Sequence, residues 1–479
     1  MIKDHYFKNV LLALLLFFLI IFVLPLFIFK VPLQADDIVL YYQINSGLIE
    51  LLKFSEVLRV PFEGATLFYS YKLLHYLNSG LSVNVILYIF YSFHFFSTLL
   101  FYKILITILN LINSDTRQYY AAYLAVILFL ITPIAADSYA NLSMTGRIIG
   151  FFFVLLYVYF KIQIFAKDEI DWWLFKLTGL SILILISIGY YENYLVFILI
   201  GYLLVFLAKK KKAAVKFQLF ENLVVVSIFV AKLFFVSNNF QTRGINIHLF
   251  HVLKHVFLYF VTILIPNLHG LIFLGTPIFL CCVVFVIIFS GEKICIKKEA
   301  ILIISLIWFS LIFIFTISLT PYYVPRALYP IIPFIMYILS YFTFRIKNLH
   351  FRTVIISFLI LSFCISMWHF FYMQNDIYKL AENIKNKVMI VSKKEKPENY
   401  QIVIDNYSIS GARLFFKKNE YFIIKLIEFQ NNLDNMEIGL KVNYKSEYVE
   451  IKHGILKLII TRIQDTFSNK KTRVRIERL

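Results

Sequence analysis

The sequence predicts an α-helical polytopic membrane protein of about eleven transmembrane helices, followed by a small α/β or α+β extracytoplasmic domain. Three observations predict the helical membrane part. The 479-residue chain is 60% hydrophobic and only 16% charged, with a mean hydropathy of +0.78, well outside the composition of soluble domains. Apolar runs of about twenty residues, the length a helix needs to cross a bilayer, recur from the N-terminus to position 371. Basic residues gather in alternate connections between those runs, the asymmetry that orients membrane helices.

The spans, in order, fall at residues 10–30, 84–112, 118–134, 148–166, 175–190, 195–208, 218–236, 271–290, 300–318, 328–344 and 353–371. The first is too long for a signal-peptide core and is followed by many others, so it reads as a retained helix. Lys3 and Lys8 precede it, and Arg117, Lys161, Lys167, Lys176, Lys209 to Lys212, Lys216, Lys293, Lys297, Lys298, Arg345, Lys347 and Arg352 mark the later cytoplasmic connections. This places the N-terminus in the cytoplasm and, after an odd number of spans across the cell (inner) membrane, residues 373–479 outside. Residues 245–265 are apolar enough to cross but carry His248, His251, Lys254 and His255 in their first half. A crossing there would leave Lys293, Lys297 and Lys298 outside, so the segment reads as an amphipathic helix in the outer interface.

Two domains follow from this layout: a membrane unit, residues 1–372, with a long first outer loop at 31–83, and an extracytoplasmic tail, residues 373–479. The tail opens with a helical pattern, DIYKLAENIKNKVMIV, and continues with the strand-like runs YQIVIDN, ARLFFKK, YFIIKLI and EIGLKVNY. The net charge of +19 is accounted for by topology anchors, which removes nucleic acid as a partner. The four cysteines have neither metal-ligand nor disulfide spacing. His94, Lys103 and Lys161, inside apolar runs, read as residues that snorkel or extend helices.

The remaining ionisable residues sort to the outer side. Asp36 and Asp37 open the first outer loop. Either can cap the segment that follows, but a cap uses one carboxylate and a second adds repulsion. Asp137 and Arg147 belong to the second outer loop, Glu192 to the short YYENY connection, and Lys232 to the outer end of its span. Arg326 lies in TPYYVPRALYP, where Pro321, Pro325, Tyr322 and Tyr323 stiffen the chain around it. A guanidinium held rigidly at headgroup level suits a phosphate, which it can grip with two parallel charge-assisted bonds.

Taken together, the cytoplasmic N-terminus, a first span running into a long outer loop that starts ADD, the Arg of the Pro/Tyr-rich loop and the outer tail resemble the GT-C superfamily. These membrane glycosyltransferases take sugars from polyprenyl-phosphate carriers and transfer them on the outer side of the membrane. The resemblance implies that Asp36 or Asp37 is the catalytic base or a metal ligand, with Mg or Mn as the divalent cation in the second case. On the residues' own chemistry, Arg326 would then bind the lipid phosphate, with Tyr322 and Tyr323 at the same substrate site and Lys232 assisting the same anion, and Glu192, Asp137 and Arg147 would contact acceptor or sugar. The implied partners are the polyprenyl-phosphate-linked sugar, a glycan, lipid or protein acceptor, and the bilayer. A transporter or flippase of lipid-linked sugars is the rival class, distinguished by ionisable residues and broken helices deep in the membrane. A polysaccharide polymerase or ligase would be expected to place its large outer loop late in the chain.

Overall fold

The computed structural model describes residues 2–31, 61–77, 82–132, 142–166, 173–205, 208, 211–236, 249–264, 298–319, 325–394, 400–407, 438–444 and 473–478. The protein is largely α-helical, and seven helices among the described residues are long and apolar enough to cross a membrane, as a multi-pass protein requires. Seven of the predicted spans coincide with these helices, shorter helices overlap 118–134, 175–190 and 195–208, and 271–290 lies outside the described residues.

Helix α1 (Ile2–Phe18) passes through a π turn, Leu19–Val23, into α2 (Leu24–Ile28). Pro25 has no N–H to return to the carbonyl of Ile21, and the backbone widens just ahead of it. The outer-loop helix α3 (Pro61–Tyr76) starts on a proline, whose missing N–H costs nothing in a first turn. Helices α4 (Asn84–Leu111) and α5 (Thr116–Leu130) meet at a tight turn in which Asn113 takes φ 53°. Asparagine tolerates that left-handed conformation at a helix end. The Asp115 carboxylate then accepts the N–H of Gln118 to start α5.

The chain continues through α6 (Leu142–Ala166), α7 (Trp173–Tyr190), a 3-10 helix at Glu192–Leu199 leading into α8 (Ile200–Leu204), and α9 (Lys211–Val236). Next come α10 (Leu249–Leu264), α11 (Lys298–Ser318), a 3-10 helix at Pro325–Ile331 leading into α12 (Ile332–Arg345), and α13 (Leu349–Lys394). Buried Ala121, Ala122 and Ala125 let α5 lie close to α12, its most extensive partner. Helix α6 packs against α4 and α7, and α3 wedges between the ends of α6 and α7.

Polar contacts tie the helix ends into two opposite layers. At one end Glu299 accepts Ser114 Oγ (2.5 Å), the N–H of Asp115 (3.2 Å) and Arg345 Nη2 (3.3 Å), joining the α4–α5 turn to the start of α11 and the end of α12. Arg117, Lys211, Lys212, Lys347 and Arg352 share this basic end. At the far end the Asn84 amide answers the frayed end of α2: its Nδ2 donates to the carbonyls of Leu26 and Phe29 (2.7 Å each) and its Oδ1 accepts the N–H of Val31 (2.8 Å). Lys30 N–H donates to Asn375 Oδ1 (3.1 Å), so α13 also reaches this end. Helix α9 runs antiparallel to α6, which places Val236 far from the basic end, whereas Glu299 belongs to it. Helix α10 contacts α11 and the 325–331 turn, burying Val252, His255 and Tyr259 while Phe250, Leu253 and Phe257 face outward.

Two expectations need correcting. His94 does not snorkel: it is fully buried, and its neutral ring donates Nε2–H to the Leu130 carbonyl (3.1 Å) and accepts the Tyr329 hydroxyl at Nδ1 (2.8 Å). Lys161 does not snorkel either, because a buried carboxylate of another helix, Glu221, pairs with it inside the bundle. Lys103 is exposed beside the Tyr159 ring, as expected. The boundary drawn at 372/373 falls inside α13, a single helix of 46 residues. At 1.5 Å per residue that is about 70 Å, more than twice a hydrocarbon core of about 30 Å. Its last part therefore projects beyond the far end, where Tyr378 lies beneath the Lys30 ammonium (5.2 Å). Burial, with the Glu382 carboxylate beside it, holds the Tyr378 hydroxyl protonated beyond its usual range.

The tail strands β1 (Tyr400–Tyr407), β2 (Ile438–Tyr444) and β3 (Arg473–Arg478) form a sheet in the order β2-β1-β3, with β1 parallel to β2 and antiparallel to β3. A mixed sheet against a helix agrees with an α/β or α+β tail, and β3 contacts α13. The predicted strands ARLFFKK and YFIIKLI lie outside the described residues.

Replacing Asn84 with leucine strands two carbonyls and one N–H at once, each costing about 1–3 kcal/mol when buried. Thermal unfolding of the detergent-purified variant is expected to begin several degrees below wild type.

Candidate functional site

Among the predicted site residues, Asp36, Asp37, Asp137, Tyr322 and Tyr323 lie outside the described residues. Arg326 sits in the first turn of the 325–331 helix and Lys232 near the end of α9, both toward the far end. Arg147 and the YYENY connection, predicted on separate loops, meet there through Tyr191 and Tyr194; Glu63 reaches Gly146 beside Arg147, and Glu192 follows Tyr191 in the chain.

Three glycines make this convergence possible. At Gly146 a Cβ would stand 3.0 Å from Glu63 Cγ and 3.2 Å from Glu63 Cα. At Gly189 it would stand 2.2 Å from the Phe62 ring, and at Gly150 it would meet Tyr190 and Tyr194 at 2.6 and 2.7 Å. Helix α3 can therefore rest directly on the backbones of α6 and α7. Its first turn delivers Glu63 to the residue next to Arg147. A carboxylate there also favours the positive end of the α3 dipole, so part of its placement is structural.

The Arg147 guanidinium stacks on the Tyr191 ring at 4.2 Å. Its Nε and Nη1 atoms are buried and have no hydrogen-bond partner among the described residues. A charged donor in that state costs at least about 1–3 kcal/mol, a debt that an anion cancels through charge-assisted bonds. The surrounding atoms are held firmly. Tyr194 O–H donates to the Arg147 carbonyl, and Asn193 Nδ2 donates to the Tyr191 hydroxyl at 2.6 Å. Thr66 Oγ1 reaches the Tyr190 hydroxyl at 3.4 Å. Glu63 and Glu192 each keep Oε1 out of solvent. The site thus offers a cation for an anionic group, carboxylates for hydroxyl groups, and aromatic faces between them.

A chain of buried groups supports the site from below. Phe151 packs on Tyr194 (6.4 Å) and Tyr329 (5.3 Å), and Tyr329 is the hydroxyl that His94 accepts. Sequence reasoning missed Glu63, whose signal was an acid just after a proline in the first outer loop, the pattern of a helix start. No cluster of three or more metal-ligating side chains occurs among the described residues. Comparison with protein-family models, curated proteins and solved structures yields no match.

Gly189→Val is expected to expel the Phe62 ring and lift α3 from α7. Limited proteolysis of the purified variant should then cut within residues 31–83 faster than in wild type, while the α5–α12 core stays protected.

Proposed function

We propose that the protein is a membrane glycosyltransferase that moves a sugar from a polyprenyl-phosphate donor to a cell-surface glycan, lipid or protein acceptor. In this reading the basic end is cytoplasmic by charge asymmetry, and the far end faces outward. The observation that carries it is Arg147: its Nε and Nη1 are buried with no hydrogen-bond partner among the described residues, and its guanidinium is set on the Tyr191 ring. Such a group suits the phosphate of a donor that slides in from the bilayer, with Arg326 as a second cation from the neighbouring loop.

The chemistry needs a base and a stabilised leaving group. An acceptor hydroxyl attacks the anomeric carbon, the bond from that carbon to the phosphate oxygen breaks, and its electron pair leaves on the lipid phosphate. The hydroxyl proton passes to a carboxylate, for which Asp36 or Asp37 is the candidate. Val31, tied to Asn84, is the last described residue before both in the chain. Arg147 would stabilise the charge growing on the phosphate. Mg or Mn at Asp36 or Asp37 is the alternative use of that pair.

A transporter of lipid-linked sugars is the second reading. It is favoured by the buried Lys161–Glu221 pair and by the 3-10 break at Glu192–Leu199, both features of substrate pathways in membranes.

The test is the profile of surface glycans and lipid-linked sugars, by mass spectrometry, in cells carrying wild type, a deletion, Asp36→Asn, Asp37→Asn or Arg147→Ala. The expected outcome is loss of one sugar from the product, with its lipid-phosphate donor accumulating, in the deletion, in Arg147→Ala and in at least one Asp variant. Full activity in both Asp variants would remove the proposed base. Lipid-linked intermediates trapped on the cytoplasmic side would point to transport.

A further inference from the structure

A second polar cluster lies inside the bundle, where α6, α9 and the junction between the 3-10 helix and α8 meet. Lys161 and Glu221 are both fully buried. The Lys161 ammonium donates to Glu221 Oε2 and to the Tyr157 hydroxyl, and Tyr157 in turn donates to Glu221 Oε2 (3.2 Å). Gln218, also buried, uses its amide Nε2 on the Ile198 carbonyl (3.0 Å) and on Asn222 Oδ1 (2.7 Å). Both of its N–H groups are spent, which fixes the amide's orientation and turns Oε1 the other way. That oxygen and the Lys161 Nζ face one glycine: a Cβ at Gly201 would stand 1.7 Å from Gln218 Oε1 and 2.5 Å from Lys161 Nζ.

Two of the oxygens at this point are unanswered. Glu221 Oε1 and Gln218 Oε1 are buried with no hydrogen-bond partner among the described residues. With Glu221 Oε2 and Tyr157 Oη they make a set of hard oxygen donors around one positive charge, beside a helix that changes pitch at Leu199–Ile200. Oxygen sets of this kind suit alkali and other hard cations, and breaks in membrane helices are where such ions are held.

We propose that this cluster is a monovalent-cation site in which the Lys161 ammonium and an alkali ion are alternative occupants. An ion that takes the oxygens keeps Glu221 balanced, releases Lys161, whose buried ammonium then gives up its proton to solvent, and loosens the link between α6 and α9. Gly201 keeps room for the exchange. The inference is independent of the Arg147 site and of the reaction proposed for it.

The experiment is thermal unfolding of the full-length protein in detergent, in NaCl or KCl against choline chloride of equal ionic strength, for wild type, Lys161→Ala and Glu221→Gln. One alkali ion is expected to raise the wild-type Tm by about 2 °C or more over choline. In Lys161→Ala, with no tethered competitor, the half-maximal effect should come at about tenfold lower salt, and in Glu221→Gln the effect should vanish. No cation-specific shift in wild type, or a shift that survives in Glu221→Gln, would overturn the proposal. A shift confined to Lys161→Ala would also overturn it, since the native lysine would then never yield its place. Should Lys161→Ala fail to fold, wild type against Glu221→Gln still decides.

Discussion

The structure depends on one constraint: a polar group withdrawn into an apolar bundle has no water to bond and must be answered by the protein or by something the protein binds. Most of the long-range order described above is this constraint being met. Asn84 closes the end of the first helix, Glu299 gathers three helix ends at the basic layer, His94 and Tyr329 join α4 to the 325–331 turn, and Glu221 answers Lys161. Van der Waals packing alone distinguishes poorly between neighbouring apolar helices, because lipid tails are as apolar as leucine. The polar pairs select which helices meet and in what register.

Function enters where the constraint is met only in part. Arg147 has an aromatic face but no acceptor for two buried donors among the described residues, and it lies at the end of the bundle reached by the first outer loop. Glycines at 146, 150 and 189 remove the side chains that would hold α3 away, so the sequence gives up helix propensity there for a close approach that shapes the cluster. The arrangement sets the Arg147 guanidinium on the Tyr191 ring and brings Glu63 to the neighbouring Gly146.

How much of this was legible in the sequence depended on the range of the interaction. Spans could be read because apolar length is a local property, and the short YYENY connection and the strands at YQIVIDN and EIGLKVNY carried equally local patterns. Partners could not be read, since nothing near Lys161 announces a carboxylate 60 residues away. The same blindness made His94 a snorkelling candidate, when its acceptor and donor come from two other parts of the chain. Polarity changes after Tyr372, and DIYKLAENIKNKVMIV, read as a helix, continues α13 without a break.

The central claim is that Arg147 holds the phosphate of a polyprenyl lipid. It is tested most directly by native mass spectrometry of the protein released from gentle detergent after incubation with a synthetic polyprenyl phosphate, for wild type, Arg147→Lys and Arg147→Ala. The account predicts a retained one-to-one adduct in wild type, weakened in Arg147→Lys, where a point charge replaces the bidentate fork, and lost in Arg147→Ala. Equal retention by all three proteins would contradict it.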